Sequence, residues 1–116
     1  MIGTAFFFDP ARKEVCLTVT GHAGFVKSGE DPVCAAASIL TCSLAQFALN
    51  AHKSGCLRSA PGIRLKPGDA LVRMRAKTED DYDALLLAAR VVHGGFAVLA
   101  KNYPENVNLN GLDLKT

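Results

Sequence analysis

The stretch that decides how this chain folds runs from residue 21 to residue 38 and reads GHAGFVKSGEDPVCAAAS. An alternating apolar run ends as this stretch begins, and a glycine-rich loop opens it. Asp31 and Pro32 then predict the start of a helix, because Asp is a favoured N-cap residue and Pro is favoured at the first helical position. This assignment puts Cys34 in the first turn of the predicted helix.

Cys34 carries the main functional prediction. A thiol in the first turn lies among backbone N–H groups without helical partners, at the positive end of the helix dipole. Both features favour the thiolate over the thiol. His22 could fold back across the loop to complete a Cys–His pair, which is the minimum for thiolate catalysis. The same N–H groups could stabilise an oxyanion.

Each of these residues also has a structural interpretation. A cysteine in an Ala-rich helix start is often a small buried apolar residue, and a His after a strand is often a solvated turn residue. Asp31 could orient His22 or only cap the helix, and capping needs no further assumption. Ser38 lies one turn after Cys34 on the same face. It could support the site or bond back to a carbonyl, and we favour the second role.

The loop between His22 and Asp31 is the candidate substrate loop. Gly24 and Gly29 permit backbone angles that other residues avoid. Phe25 and Val26 are apolar, which is unusual for a simple connection. They could pack down on the domain or line a site for an apolar peptide, and we weigh these two interpretations equally.

The sequence resembles the ribosomal-processing cysteine protease family, Prp. The resemblance covers nearly the whole chain, and it is carried by the central motif and by a match near the C-terminus. The matching residues are Gly21-His22-Ala23-Gly24, Gly29, Asp31, Cys34-Ala35-Ala36, Ser38 and Tyr103-Pro104-Glu105-Asn106-Val107.

The resemblance implies a bacterial, dimeric α+β cysteine endopeptidase. Such an enzyme removes a short N-terminal extension from a large-subunit ribosomal protein, the twenty-seventh in the usual count, and so aids ribosome assembly. By motif position, the resemblance implies that His22 is the catalytic base and Cys34 the nucleophile. Pro32 stands where we expect a branched apolar residue in the family. Because Pro suits the first helical position, we expect it to stiffen the exit of the loop without harming the site.

Length and composition predict one ordinary globular domain spanning residues 1–116, with 49% hydrophobic and 21% charged residues. No apolar run approaches the roughly 18 residues of a membrane helix, so no membrane partner is expected. The apolar N-terminus lacks a basic leader and a cleavage site, so it does not read as a signal peptide.

The even count of four cysteines permits disulfides, but nothing marks the chain as secreted, so we expect a cytoplasmic protein with reduced thiols. No two of them are spaced as C-x-x-C, so neither a metal site nor another cofactor is expected. We expect Cys16, Cys42 and Cys56 to pack as small apolar residues. A thiol redox sensor is a third functional option, and the lack of an obvious resolving cysteine weakens it.

Hydrophobic periodicity predicts five strands and two helices in the order ββαββαβ. This order indicates a two-layer α+β domain with a mainly antiparallel sheet. Strand order and handedness do not follow from the sequence. The predicted elements are strands at Ile2–Phe8 and Val15–Thr20, a helix to Lys53, a hairpin turning at Lys66–Asp69, a helix over Glu79–Lys101 and a short last strand at Val107–Leu109.

The second predicted helix runs through Gly94 and Gly95, because one apolar face continues on both sides of the pair. Two glycines in a helix interior cost about 2 kcal/mol relative to alanines. That cost indicates close packing there, against the first helix or a second subunit. Together with the family resemblance, this feature predicts a homodimer.

The alternative function is a non-enzymatic, ribosome-associated binding module. Arg64, Lys66, Arg73 and Arg75 are predicted to share one face of the hairpin. Such a face is most often simply solvated, although it could contact RNA or an acidic partner. Because the charges are few, direct nucleic-acid binding is not expected, and a peptide or protein substrate is the expected partner.

Overall fold

The computed structural model describes residues 1–21 and 31–114. Its seven elements follow the predicted order ββαββαβ, which is therefore confirmed. They are β1 (Ile2–Asp9), β2 (Glu14–Thr20), α1 (Pro32–Lys53), β3 (Gly62–Lys66), β4 (Asp69–Arg75), α2 (Glu79–Asn102) and β5 (Val107–Leu114).

The strands form one sheet in the order β3-β4-β2-β1-β5. Every pairing is antiparallel except that of β1 with β5, which is parallel. The mainly antiparallel sheet is thus confirmed. The last strand is longer than predicted: it continues to Leu114, with a shift in register between Thr4 and Phe6 of β1.

The sheet buries one face and leaves the other open. Alternate residues of β1, β2 and β4 point into the core, and the side chains of Phe6, Val15 and Leu17 are completely buried there. Both helices supply buried residues to this same core. Phe6 meets Phe96 of α2 edge-on, with ring centroids 6.2 Å apart. A two-layer domain follows, with both helices packed on one side of the sheet.

The first helix buries only one side. Leu44 is fully buried, whereas Ile39 and Leu49 are 68% and 44% exposed. The apolar residues of α1 are spread around much of its circumference, a pattern that predicts burial on more than one side. For Ile39 and Leu49 that prediction is wrong. The helix ends as predicted, because Gly55 at φ +77° lets the chain turn away and its N–H donates to the carbonyl of His52 at 3.1 Å.

The second helix passes through its glycine pair without a break. Gly95 faces α1, and a Cβ atom added there would collide with the Leu40 side chain. Gly94 is exposed, and no side chain or other element of the described residues comes within 4 Å of a Cβ added there. The predicted close packing against the first helix is therefore confirmed for Gly95 only.

We predict that Gly95→Ala lowers the free energy of unfolding, because the new methyl group must displace Leu40; overpacking of this kind costs about 1–3 kcal/mol. In a Leu40→Ala background the same substitution should instead raise the free energy of unfolding by up to about 1 kcal/mol, because Ala has a higher helix propensity than Gly. Urea unfolding of the four proteins of this double-mutant cycle measures both changes. An effect of the same sign in both backgrounds would contradict the assigned contact.

Both helices are long and apolar enough, by length and composition, to cross a membrane. The composition of each has a second physical cause, because each helix supplies one face to the core above the sheet. Packing against the core does not explain why the outer face of α2 is apolar. On that face Leu87, Val91 and Val98 are 66%, 70% and 61% exposed.

Candidate active site

The first turn of α1 is held by Asp31, which is only 3% exposed. Its carboxylate accepts hydrogen bonds from the backbone N–H of Val33 at 2.8 Å and of Cys34 at 3.3 Å. Pro32 follows it as the first helical residue. The capping arrangement predicted for Asp31 and Pro32 is therefore present, and it places Cys34 in the first turn.

This cap also changes the expected electrostatics of the first turn. Besides the two amides bound by the Asp31 carboxylate, the Ala35 N–H donates to the Asp31 carbonyl at 3.0 Å. Pro32 has no N–H to offer. The first-turn amides predicted to stabilise an oxyanion are therefore already engaged, and the carboxylate puts a negative group at the positive end of the helix.

Cys34 is partly buried and lines a cleft of about 410 Å³. The cleft lies between the first turns of α1, the ends of β1 and β2, and the hairpin that joins β3 to β4. Its lining residues are Ile2, Val19, Gly21, Asp31, Cys34, Ala35, Ala37, Ser38, Thr41, Cys42, Leu65, Lys66, Pro67, Gly68, Asp69 and Ala70.

The β3–β4 hairpin is the wall of the cleft that the sequence did not predict. Pro67 and Gly68 form its turn, with Gly68 at φ +72° as a type II turn requires. The turn itself is readable from the sequence. Its position near Cys34 depends on the pairing of β4 with β2, which no local pattern reveals.

Gly21 holds the chain at the point where it leaves β2. Its N–H donates to the Gly68 carbonyl at 2.9 Å, and its φ of +85° is a conformation that favours glycine. A Cβ at this position would collide with the carbonyl oxygen of Met1. Gly21 therefore fixes the course of the backbone at the end of β2, immediately before His22 in the sequence.

Ser38 and Cys42 of α1 also line the cleft. Ser38 is exposed there, and its hydroxyl makes no hydrogen bond to any residue in the described part of the chain. Thr41 and Ser43, in contrast, do bond back to helix carbonyls, at 2.7 Å each. The backward bond favoured for Ser38 is thus not formed. Cys42 is exposed in the same cleft, so its prediction as a packed apolar residue is wrong.

The structure brings Asp31, Cys34 and Ser38 together at one cleft. The other predicted site residues, namely His22, Gly24, Phe25, Val26 and Gly29, lie outside the described residues. Within residues 1–21 and 31–114, no group of three His, Cys, Asp or Glu side chains is placed to hold a metal ion.

Cys16 and Cys56 lie outside the Cys34 cleft and differ from Cys34 in their surroundings. Burial raises the pKa of Cys16, an effect that nearby Arg73 partly opposes. Partial burial likewise raises the pKa of Cys56, and the Asp81 carboxylate raises it further. Both thiols are therefore held more firmly in the protonated, unreactive form.

We predict that Cys34 is alkylated faster than Cys16 and Cys56 at neutral pH. Mass spectrometry of the protein treated with iodoacetamide at a series of pH values gives the alkylation rate of each of the four cysteines. A Cys34 rate no higher than that of Cys16 or Cys56, both without and with a substrate peptide, would contradict the assignment of Cys34 as the reactive thiol. Cys42 serves as the reference for an exposed thiol in the same cleft.

Comparison with known proteins gives the family and a shared fold. The profile of the family described as Cysteine protease Prp matches residues 1–108. A comparison with curated protein sequences gives no match. The fold is similar to the ribosomal processing protease Prp of Staphylococcus aureus, solved with a covalently linked product peptide: 22% identity, 99% of this chain and 100% of that chain covered, and a TM-score of 0.63.

A Streptococcus mutans protein also has a similar fold, with 22% identity, 99% of this chain and 96% of that chain covered, and a TM-score of 0.64. At these identities the solved structures show a shared fold. The family profile matches most of the chain and includes both residues 22–30 and the start of α1. This chain belongs to the cysteine protease Prp family.

Proposed function

We propose that this chain is a cysteine endopeptidase with Cys34 as nucleophile and His22 as general base. The observation that carries the proposal is the position of Cys34 at the start of α1, where it lines a cleft of about 410 Å³. Membership of a cysteine protease family supports it. Gly21, whose backbone is fixed beside the same cleft, supports the placing of His22 close by.

The chemistry proceeds through an acyl-enzyme. The Cys34 sulfur attacks the scissile carbonyl carbon while His22 takes the thiol proton. The tetrahedral intermediate then expels the amine, to which His22 returns the proton, and a thioester remains on Cys34. Water attacks this thioester with His22 again as base, which releases the new carboxylate and restores the thiol.

The oxyanion of the tetrahedral intermediate needs a hydrogen-bond donor. Of the two amides that donate to the Asp31 carboxylate, that of Cys34 makes the longer bond, at 3.3 Å against 2.8 Å for Val33. We therefore assign the Cys34 N–H as the donor that changes partner, from Asp31 to the oxyanion, during the reaction. The Val33 bond keeps the helix capped meanwhile.

The proposed substrate is a large-subunit ribosomal protein, the twenty-seventh, from which a short N-terminal extension is removed in the cytoplasm. The similar Staphylococcus aureus protein is described as a ribosomal processing protease and has also been solved with a substrate peptide. The cleft suits such a segment, because apolar residues such as Ile2, Val19 and Leu65 line its walls. Ser38 and the substrate loop would contact the peptide beside the reacting pair.

Cleavage of the purified precursor tests this function directly. Mass spectrometry should show one cut near the N-terminus of the precursor and no cut in the mature ribosomal protein. Prior treatment with iodoacetamide should abolish the cut. An uncut precursor, or a cut that survives thiol alkylation, would refute the proposal.

The alternative of a binding module has less support, because Arg64 is already paired with Asp69 through bonds of 3.0 and 3.1 Å.

We further propose that the protein is a homodimer that associates through the outer face of α2. Leu87, Val91, Gly94 and Val98 follow one another in steps of four, three and four residues, so they form one stripe. This stripe is exposed and lies opposite the buried residues of the same helix. Gly94 leaves room at its centre for the close approach of a second helix.

Sedimentation at micromolar concentration should show twice the 12.3 kDa mass of one chain. Val91→Arg should convert this dimer to a monomer, because it places a charge at the centre of the stripe. The matched control is Phe7→Arg, which adds the same charge on the open face of the sheet and should leave the dimer intact. A wild-type protein that sediments only as a monomer would exclude this interface.

A further inference from the structure

A second concavity, of about 360 Å³, lies on the open face of the sheet. It shares no lining residue with the Cys34 cleft, and arginines dominate its charge. Its lining residues are Arg12, Glu14, Ser59, Ala60, Gly62, Arg73 and Arg75. The proposed protease does not use this site, and the basic hairpin face of the alternative function includes only Arg73 and Arg75 of its lining residues.

The concavity is remote from the reacting thiol. Asp69 and Ala70, which line the Cys34 cleft, lie at the beginning of β4. Arg73 and Arg75 lie toward the other end of β4, and they alternate with the buried residues Val72 and Met74. Because successive strand residues point to opposite faces, the two arginines project away from the helices.

Within residues 1–21 and 31–114, the three guanidinium groups around this concavity have no carboxylate partner within 4.0 Å. Among the described residues, the ion pairs within 4.0 Å are Lys13–Glu79 and Arg64–Asp69. Arg75 is instead held in place by a hydrogen bond from its Nε to the Arg12 carbonyl at 3.0 Å. That bond leaves the terminal nitrogens of Arg75 available and fixes their direction.

Small residues make room between the arginines. Ser59, Ala60 and Gly62 supply no bulky side chain, and the Arg73 guanidinium lies beside Gly62. A Cβ on Gly62 would be 3.6 Å from Nη2 of Arg73. A larger residue at this position would therefore occupy the space directly in front of that guanidinium.

We propose that Arg12, Arg73 and Arg75 form a binding site for a compact anion that bears one or two phosphate groups. Planar guanidinium groups bind phosphate oxygens in pairs, and such charge-assisted bonds are the stronger kind of hydrogen bond. A nucleic-acid strand fits less well, because it needs a basic track. The next arginine along the face, Arg64, is neutralised by Asp69.

Among the described residues that line the concavity, Glu14 is the acidic one, and it stands directly opposite Arg75 in the strand register. Its carboxylate repels an anion, so it limits how tightly the site binds. Removing the charge of Glu14 should therefore strengthen binding of the anion, and removing the charge of an arginine should weaken it.

Isothermal titration of the full chain with inorganic pyrophosphate, in 100 mM NaCl, tests the site. Wild type should bind one pyrophosphate. Arg73→Gln and Arg75→Gln should each weaken binding about tenfold or more, as expected for loss of a charge-assisted hydrogen bond. Glu14→Gln should tighten it severalfold, and Gly62→Leu should weaken it without any change in charge.

Arg64→Gln is the matched control, since it removes an arginine on the same face that is already paired. No measurable pyrophosphate binding by wild type would overturn the proposal, and so would an equal loss in Arg64→Gln. A single-stranded RNA that binds far better than pyrophosphate, and whose binding Arg64→Gln and Lys66→Gln also weaken, would overturn the compact-anion assignment. Precursor cleavage by the variants is a separate readout, so a failure here leaves the protease proposal untouched.

Discussion

Replacing Cys34 by serine is expected to reduce precursor cleavage to background. Serine keeps nearly the same shape, but its hydroxyl is a far weaker acid than a thiol, so the nucleophile is not ionised at neutral pH. Loss of the nucleophile in comparable enzymes costs far more than about 10⁴-fold in rate. Cleavage of the precursor, followed by mass spectrometry over hours, can resolve a loss of that size.

Cys42→Ser provides the matched control for this result. Cys42 lines the same cleft but stands eight residues further along α1, about 12 Å along the helix axis. It should retain close to wild-type activity. Residual cleavage of wild-type size in Cys34→Ser would end the cysteine-protease proposal. Loss of the folded state in Cys34→Ser, seen by thermal unfolding, would show instead that this thiol is needed for packing.

Much of the fold follows from local sequence pattern. Asp31 caps α1 as predicted, and Thr78, whose side chain accepts from the Asp81 N–H, caps α2. The apolar face of α2 continues on both sides of Gly94 and Gly95, and so does the helix. These features depend on residues close together in the chain, so the sequence alone contains the information. Strand order does not, because β1 pairs with β5 across more than one hundred residues.

The residues of the candidate site likewise fall into two groups, those with a local sequence signature and those placed by long-range strand pairing. Cys34 and Asp31 are predictable because a helix N-terminus has a local signature. The hairpin wall at Lys66–Asp69 is not, since it reaches the cleft only through the pairing of β4 with β2. The engagement of the first-turn amides by Asp31 was within reach of the sequence, because a good N-cap residue necessarily occupies those donors.

That engagement bears on how Cys34 is activated. The Asp31 carboxylate takes the N–H groups of Val33 and Cys34 and adds a negative charge at the helix end. Both effects reduce the help that the helix alone gives to a thiolate. In the proposed mechanism the proton of Cys34 therefore passes to a base, and His22 is the residue that we assign to that role.

His22→Ala is accordingly expected to lower kcat/KM for precursor cleavage by at least about a hundredfold, the range typical for loss of a general base. The residual activity should rise steeply with pH, because hydroxide then removes the thiol proton, and added imidazole should restore part of the rate. His52→Ala is the control. His52 lies at the far end of α1, about 27 Å from Cys34 along the helix, and its loss should leave the rate unchanged. A folded His22→Ala protein that cleaves at the wild-type rate, with no response to imidazole, would show that the Cys34 thiolate forms without His22.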